Sequence, residues 1–138
     1  MSNNSVILVR DVMKKDFDVV DGMALVIDAL KTMKHVETKC LIVNKRHEND
    51  EYGILLLSDI ARKVLAKDLS PRRVNVYEVM AIHVMTINPD MYIRYCARLF
   101  DRFELSLAPV LENNTVIGIV SFTDMVLNGF CKNFDDIA

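Results

Sequence analysis

The chain has 138 residues, 51% of them hydrophobic, with 17 basic against 19 acidic side chains and a net charge of −2. This length suits one domain, or two small modules sharing a core, and folding buries roughly 70% of the unfolded surface at that size. The charge balance gives no reason to expect nucleic acid or an anionic membrane as a partner, and no apolar run approaches the ~18 residues that span a bilayer.

In chain order, MSNNSVILVRDVMKK has four consecutive apolar residues and no basic start, so no secretory signal is expected and a cytoplasmic protein is. Val19-Val20 is a short apolar segment. Leu25, Ala29 or Leu30, and Met33 then recur at helical spacing. CLIV and YGILLLS are strand candidates, and DIARKVLAKDL reads as a helix. Pro71 lies in a polar linker, residues 69–76. The basic stretch Arg62, Lys63, Lys67, Arg72, Arg73 is read as a solvated helix face and linker. After it, Met85 to Ile87 is apolar, and Tyr92, Cys96, Leu99 or Phe100, and Phe103 form one helical face. LAPVLE and TVIGIVS are joined through Glu112-Asn113-Asn114, good hairpin chemistry. DMVLNGFCKN closes the pattern as a helix, and Asp135-Asp136 is read as a frayed tail.

The two halves repeat each other. Val12-Met13 stands 67 residues before Val79-Met80, and the same offset relates Val43 to Val110; Gly53 and Gly118, and Asp59 and Asp124, are 65 apart. The connection Asn44 to Tyr52 is two residues longer than Leu111 to Ile117, and an insertion in a loop costs little. Strands mixed with helices make the fold α/β or α+β: a first repeat at 1–68, a linker at 69–76 and a second repeat at 77–138. Each half is too small to hold much core of its own, so the two are expected to pack on each other.

Cys40, Cys96 and Cys131 form neither a CxxC pair nor a disulfide framework, and each sits among apolar residues, so three buried, reduced thiols are expected. The eight methionines are read mostly as core. His35, His47 and His83 lack metal-ligand spacing and are read as surface or satisfied histidines, and no metal site is expected. No nucleophile elbow, P-loop or Gly-rich dinucleotide loop is present, and the chain has only four glycines, so no catalysis is expected.

GIVSFTDMV, residues 118–126, places a serine and an aspartate where a strand gives way to a helix. Two chemistries use that pattern. Ser58 and Thr123 occupy equivalent positions and suit N-caps, with Asp59 and Asp124 in the first turn. A carboxylate there could instead accept from both hydroxyls of a ribose. Capping by Thr123 leaves Ser121 unexplained, because its counterpart is Leu56.

The two VM starts, INPDMYIRYCARLF, LAPVLENN, GIVSFTDMV and GILLLSDIA together resemble a tandem pair of cystathionine-β-synthase (CBS) domains, over about residues 10–133. The resemblance implies two β-α-β-β-α units facing each other with pseudo-two-fold symmetry, and clefts between them that often hold AMP, ADP, ATP or S-adenosylmethionine. It implies a regulatory module without a required cofactor. The family pattern of Gly, two apolar residues, Ser or Thr, two residues and Asp is complete at Gly118 to Asp124. By resemblance Asp124 would hold the ribose hydroxyls and Ser121 a phosphate. Thr86 matches the hydroxyl residue of the first strand, and backbone near Ile87, Ala108 and Pro109 would line the base pocket. Val120 and Thr123 complete the expected ligand set. In the first repeat Leu56 and Val19 stand where Ser121 and Thr86 are, which leaves Asp59 the weaker candidate and one adenine nucleotide per chain the expectation. The alternatives are an S-adenosylmethionine-type ligand, or a dimerisation scaffold whose clefts are empty. The helices carry more apolar residues than one stripe needs, Val26 and Ile93 lying beside it, so a homodimer is expected, along with an unidentified regulated protein.

Overall fold

The computed structural model describes residues 6–47 and 49–131. The Asp135-Asp136 tail and the last two residues of the expected closing helix lie outside them. The chain forms two compact units, which do not follow the repeat boundaries at 68 and 77. One, here the Asp59 unit, is Asp16–Val84; the other, the Asp124 unit, combines Met1–Lys15 with Met85–Ala138. Each therefore takes the short segment that precedes the other in sequence.

In the Asp59 unit, β1 (Val19–Val20) pairs in parallel with β2 (Cys40–Val43), and β2 pairs antiparallel with β3 (Gly53–Leu56). Helix α2 (Val26–Lys31) crosses between β1 and β2. After β3 the chain enters α3 (Leu57–Ile60) and widens at once into a π turn, Ala61–Leu65. The expected strand YGILLLS is thus shorter, because Leu57 and Ser58 already belong to the helix. The far edge of β3 is completed by Ala81, with Ile54 N–H donating to Ala81 O at 3.1 Å and Ala81 N–H to Ile54 O at 2.8 Å.

The Asp124 unit repeats this β-α-β-β-α plan. Ile87 bridges Val110 in parallel: its N–H donates to Pro109 O and its carbonyl accepts from Leu111 N–H, both at 3.0 Å. Helix α5 (Ile93–Phe103) follows, then β4 (Leu107–Glu112) and β5 (Thr115–Ser121) in an antiparallel hairpin. Asn113 and Asn114, both at positive φ (54° and 62°), make the tight turn, the twist that two-residue hairpins need. The edge of β5 is completed by Lys14, which exchanges backbone bonds with Ile119 at 2.8 and 2.9 Å. Short helices α1 (Val9–Val12) and α4 (Val76–Val79) dock in the same way in their respective units. Val9 N–H donates to Met91 O and Ile7 O accepts from Ile93 N–H; Val76 N–H donates to Ala24 O and Val74 O accepts from Val26 N–H. The bonds to Ile7 O and Val74 O satisfy first-turn donors that no side chain caps in α5 and α2.

Two cores result. The Asp59 unit buries Val26, Ala29, Leu41, Val43, Leu55, Val64, Val76 and Val79. The Asp124 unit buries Val9, Val12, Ile87, Cys96, Phe100, Ala108, Val110, Val120 and Met125. Cys96 and Phe100 face the core from α5 at i, i+4. Val26, read from the sequence as surplus apolar surface, is fully buried in its own unit, because the α4 approach covers the start of α2. The basic stretch is less free than expected: Lys63 donates to Val79 O and Arg62 pairs with Asp59.

Cys40 and Cys96 are buried, but Cys131 is exposed, contrary to the expectation for all three. It follows the wide turn Met125–Phe130, which turns a different set of side chains outward than a regular helix does. Burial pushes the Cys96 thiol up to about 11, so thiolate, the reactive form, is scarce at pH 8. A thiol reagent at pH 8 should label Cys131 in the native protein and reach Cys40 and Cys96 only after denaturant is added; rapid labelling of all three would contradict this packing.

The repeated glycine has a steric cause. A Cβ on Gly118 would stand 2.7 Å from Lys14 O and 2.7 Å from Met13 Sδ; one on Gly53 would meet Met80 Sδ at 2.9 Å and Ala81 O at 3.2 Å. The edge segment can approach only where no side chain intervenes. A Cβ on Gly22 meets nothing closer than 3.5 Å. Gly118→Ala should therefore destabilise the protein by about 1–3 kcal/mol, whereas Gly22→Ala should be nearly neutral. Urea unfolding of the two variants checks the difference.

Candidate functional site

The site is built where β5 ends. Gly118 to Val120 are buried, which holds the strand in the core, and Ser121 emerges half-buried. Helix α6 (Phe122–Asp124) starts immediately. Its N-cap is Ser121, in extended conformation, whose Oγ accepts from Asp124 N–H at 3.2 Å. Asp124 answers through Oδ2, which accepts from Ser121 N–H at 3.0 Å and from Ser121 Oγ at 2.9 Å. This is a reciprocal capping box. It corrects the expectation that Thr123 and Ser58 cap the helices. Both helices begin two residues earlier than that reading placed them; Thr123 and Ser58 sit exposed inside the first turn. Ser121, which capping by Thr123 could not explain, is itself the cap.

Asp124 is one of the two buried polar residues among those described, with a side chain 3% exposed. Its second oxygen, Oδ1, accepts from Lys14 Nζ. A buried carboxylate requires such a partner, since an uncompensated charge removed from water is costly. About three of the carboxylate's four acceptor directions are occupied. The Lys14 side chain is 25% exposed. It arrives through the backbone bridge of Lys14 to Ile119, so the same pairing that closes the sheet edge delivers the ammonium. Sequence reasoning missed Lys14, 110 residues away. The available signal was the repeat itself: in the VM alignment Lys14 stands opposite Ala81.

The other expected ligand residues lie along the strands beside β5. Leu107 pairs with Ser121 and Ala108 with Val120, and Ile87 lies beside Pro109 on the next strand. Thr86, exposed, precedes Ile87. Ile87, Ala108, Pro109 and Val120 are buried. Two strand spacings, about 10 Å, separate the Ile87 segment from β5. Phe122, beside the cap, is exposed by 37% and meets Phe100 edge-on at 5.3 Å.

The Asp59 unit has the same backbone and different chemistry. The N-cap position of α3 is Leu56, without a side-chain cap. Asp59 is only partly covered and pairs with the exposed Arg62 at 3.3 Å, one turn along the same helix. Among the described residues, neither a hydroxyl nor a lysine pairs with Asp59. Among the described residues no group of three His, Cys, Asp or Glu side chains could hold a metal, and no helix is long and apolar enough to cross a membrane.

Removing the cap should be costly in one unit only. Ser121→Ala is expected to destabilise the protein by about 1 kcal/mol, the usual cost of a lost N-cap. Ser58→Ala should change stability by less than about 0.5 kcal/mol, as at an ordinary surface position. Equal losses in chemical denaturation would contradict the asymmetry.

The comparisons with known proteins agree with this duplicated plan. The family model for the CBS domain matches residues 9–66 and again 76–128. The mitochondrial CBS domain-containing protein CBSX3 of Arabidopsis thaliana is 27% identical over 128 residues, 86% of this chain; the chain spans 62% of that relative's length. Among solved structures, the hexameric CBS-CP12 protein from bloom-forming cyanobacteria is 38% identical with a TM-score of 0.83, over 88% of this chain and 70% of that one. The CBS domain pair of protein MJ0100, in complex with 5′-methylthioadenosine and S-adenosyl-L-methionine, shares the fold at a TM-score of 0.73 and 23% identity, over 96% of this chain and 99% of that one. This chain belongs to the CBS domain family, of which it carries a tandem pair.

Proposed function

We propose that this pair of CBS domains is a regulatory sensor of an adenosine-containing small molecule, bound in the Asp124 unit, and that it acts on another protein rather than catalysing a reaction. One observation carries the reading: the uninterrupted run Gly118-Ile119-Val120-Ser121-Phe122-Thr123-Asp124 begins on β5 beside Ala108 and Pro109 of β4, which has Ile87, next to Thr86, on its other side. Asp124 is the acceptor for the ribose hydroxyls, and hydrogen bonds to a charged acceptor are the stronger kind. Ser121 and Thr123 stand beside it, and backbone around Ile87, Ala108 and Pro109 faces the base. The MJ0100 complexes support an adenosine moiety in this fold, and the choice among AMP, ADP, ATP and an S-adenosylmethionine-type ligand rests on the charge of the site. Asp59, with Leu56 in place of the serine, is not expected to hold a second equivalent.

Binding to the native state alone raises the melting temperature by mass action, so a thermal-shift panel of adenine nucleotides and S-adenosylmethionine tests the reading directly. At least one should stabilise the protein with one equivalent per chain. Asp124→Asn should weaken that ligand about 10- to 100-fold, the equivalent of roughly 1.5–3 kcal/mol for a charged hydrogen bond. A flat panel, or two equivalent sites per chain, would overturn it.

Exposed Tyr95, Phe103, Val126 and Leu127 on α5 and the turn after α6 favour a further element of this proposal, self-association. Covered apolar helix surface is the usual reason for such residues, and a homodimer is the simplest closed assembly. Light scattering should give a mass above that of the 15.8 kDa chain at micromolar concentration; a monomer throughout would remove this element and leave the ligand reading intact.

A further inference from the structure

Asp124 has one acceptor direction left, on the oxygen that already faces Lys14, so it cannot accept from both hydroxyls of a ribose without a change at Lys14. Its Oδ2 is committed to Ser121, and Oδ1 to the Lys14 ammonium. The Ser121 hydroxyl is committed as well, donating to Asp124 Oδ2 and accepting from Asp124 N–H. The group in this cluster with donors to spare is Lys14: an ammonium has three, one goes to Asp124, and a quarter of the side chain is exposed. A diol that takes Oδ1 displaces the ammonium. What then compensates Lys14 decides whether the exchange is favourable, because parting a buried ion pair leaves two unpaid charges. The diol serves the carboxylate. An anionic group on the same ligand serves the ammonium. A nucleoside without phosphate supplies only the first.

We infer that Lys14 is the specificity-determining residue of the Asp124 unit and makes it select a phosphorylated nucleoside over an uncharged one. This rests on the adenosine reading above. The paired unit supplies an internal contrast, since Ala81 occupies the equivalent place beside Ile54 and offers no charge for a phosphate to meet. Lys14 is held at its backbone by Ile119, so its side chain can leave Asp124 without the strand edge opening. The two charges then pair with two parts of one ligand.

The test is calorimetry with AMP, adenosine and 5′-methylthioadenosine on the full chain and on Lys14→Ala and Lys14→Arg. The wild type should bind AMP at least 10-fold more tightly than either uncharged nucleoside. Lys14→Ala should weaken AMP by 10-fold or more and leave adenosine no weaker, so that the preference disappears. Lys14→Arg, which keeps the charge, should retain it. If Lys14→Ala leaves Asp124 too poorly compensated to fold, the double variant Lys14→Ala/Asp124→Asn removes both charges and should likewise show no preference for AMP. An unchanged AMP-to-adenosine ratio in the variants without Lys14, or a wild type that prefers the uncharged nucleoside, overturns the role of Lys14 while leaving the adenosine reading in place. Absence of binding by all three ligands to the wild type overturns the role of Lys14, and the adenosine reading falls with it when ADP, ATP and S-adenosylmethionine fail to bind as well.

Discussion

The backbone bridge between Lys14 and Ile119 is the contact on which most else in the Asp124 unit depends. β5 would otherwise present an unpaired row of amides and carbonyls at the sheet edge, a feature that proteins generally cover. Covering it with residues from the start of the chain demands close approach, and close approach demands Gly118. The same bridge fixes α1 against the entrance to α5, where Ile7 and Met91 exchange places as acceptors for first-turn donors. Arg10 adds ion pairs to Asp90 at 2.8 Å and Glu112 at 2.6 Å on this surface, where such pairs contribute little stability and mainly fix register. Residues 76–81 do the same for the Asp59 unit. What is duplicated is therefore an arrangement in which each unit is completed by the segment preceding the other.

What the bridge carries differs between the copies, and that difference sets the electrostatics. In one unit it delivers an ammonium to a carboxylate that is almost wholly buried; in the other it delivers a methyl group, and the carboxylate stays nearer the surface with an arginine from its own helix. The caps differ in step. Ser121 forms a reciprocal box with Asp124, whereas Leu56 leaves the start of α3 without one. A charge can be buried when its partner and its hydrogen bonds are buried with it. The two aspartates, alike in sequence, are thus a buried ion-paired group and a partly solvated one.

Each unit is small, and its core shows it. The buried residues are mostly Val, Ile, Leu and Ala, with Phe100 the one large ring buried completely among the described residues. Stability then relies on backbone pairing at the edges and on caps as much as on apolar volume, and this is why single atoms at Gly118 and Ser121 matter. The other aromatic side chains on and just before α5, Tyr92, Tyr95 and Phe103, lie outward instead. Tyr92 and Tyr95 stack with ring centroids 5.7 Å apart, and Arg94 and Arg98 lie over the Tyr95 ring. Such contacts order exposed side chains without burying them.

The sequence by itself determined the repeat, the order of elements and the hairpin turn. These depend on local properties: apolar spacing at 3.6 or 2 residues, two asparagines that tolerate positive φ, and glycines and aspartates recurring at fixed offsets. It also pointed to Gly118 to Asp124 as the place of interest and to Leu56 and Val19 as departures from it. Only the tertiary structure decided which segment completes which sheet, because edge pairing joins residues as far apart as Lys14 and Ile119 and leaves no periodic trace. It decided that Ser121 caps α6, since the start of a helix after a strand is set by where the strand runs out of partners. It decided that Asp124 is buried with Lys14 while Asp59 is not. Burial and ion pairing arise from contacts distant in sequence, and identical local patterns can be completed by a lysine in one place and an alanine in the other.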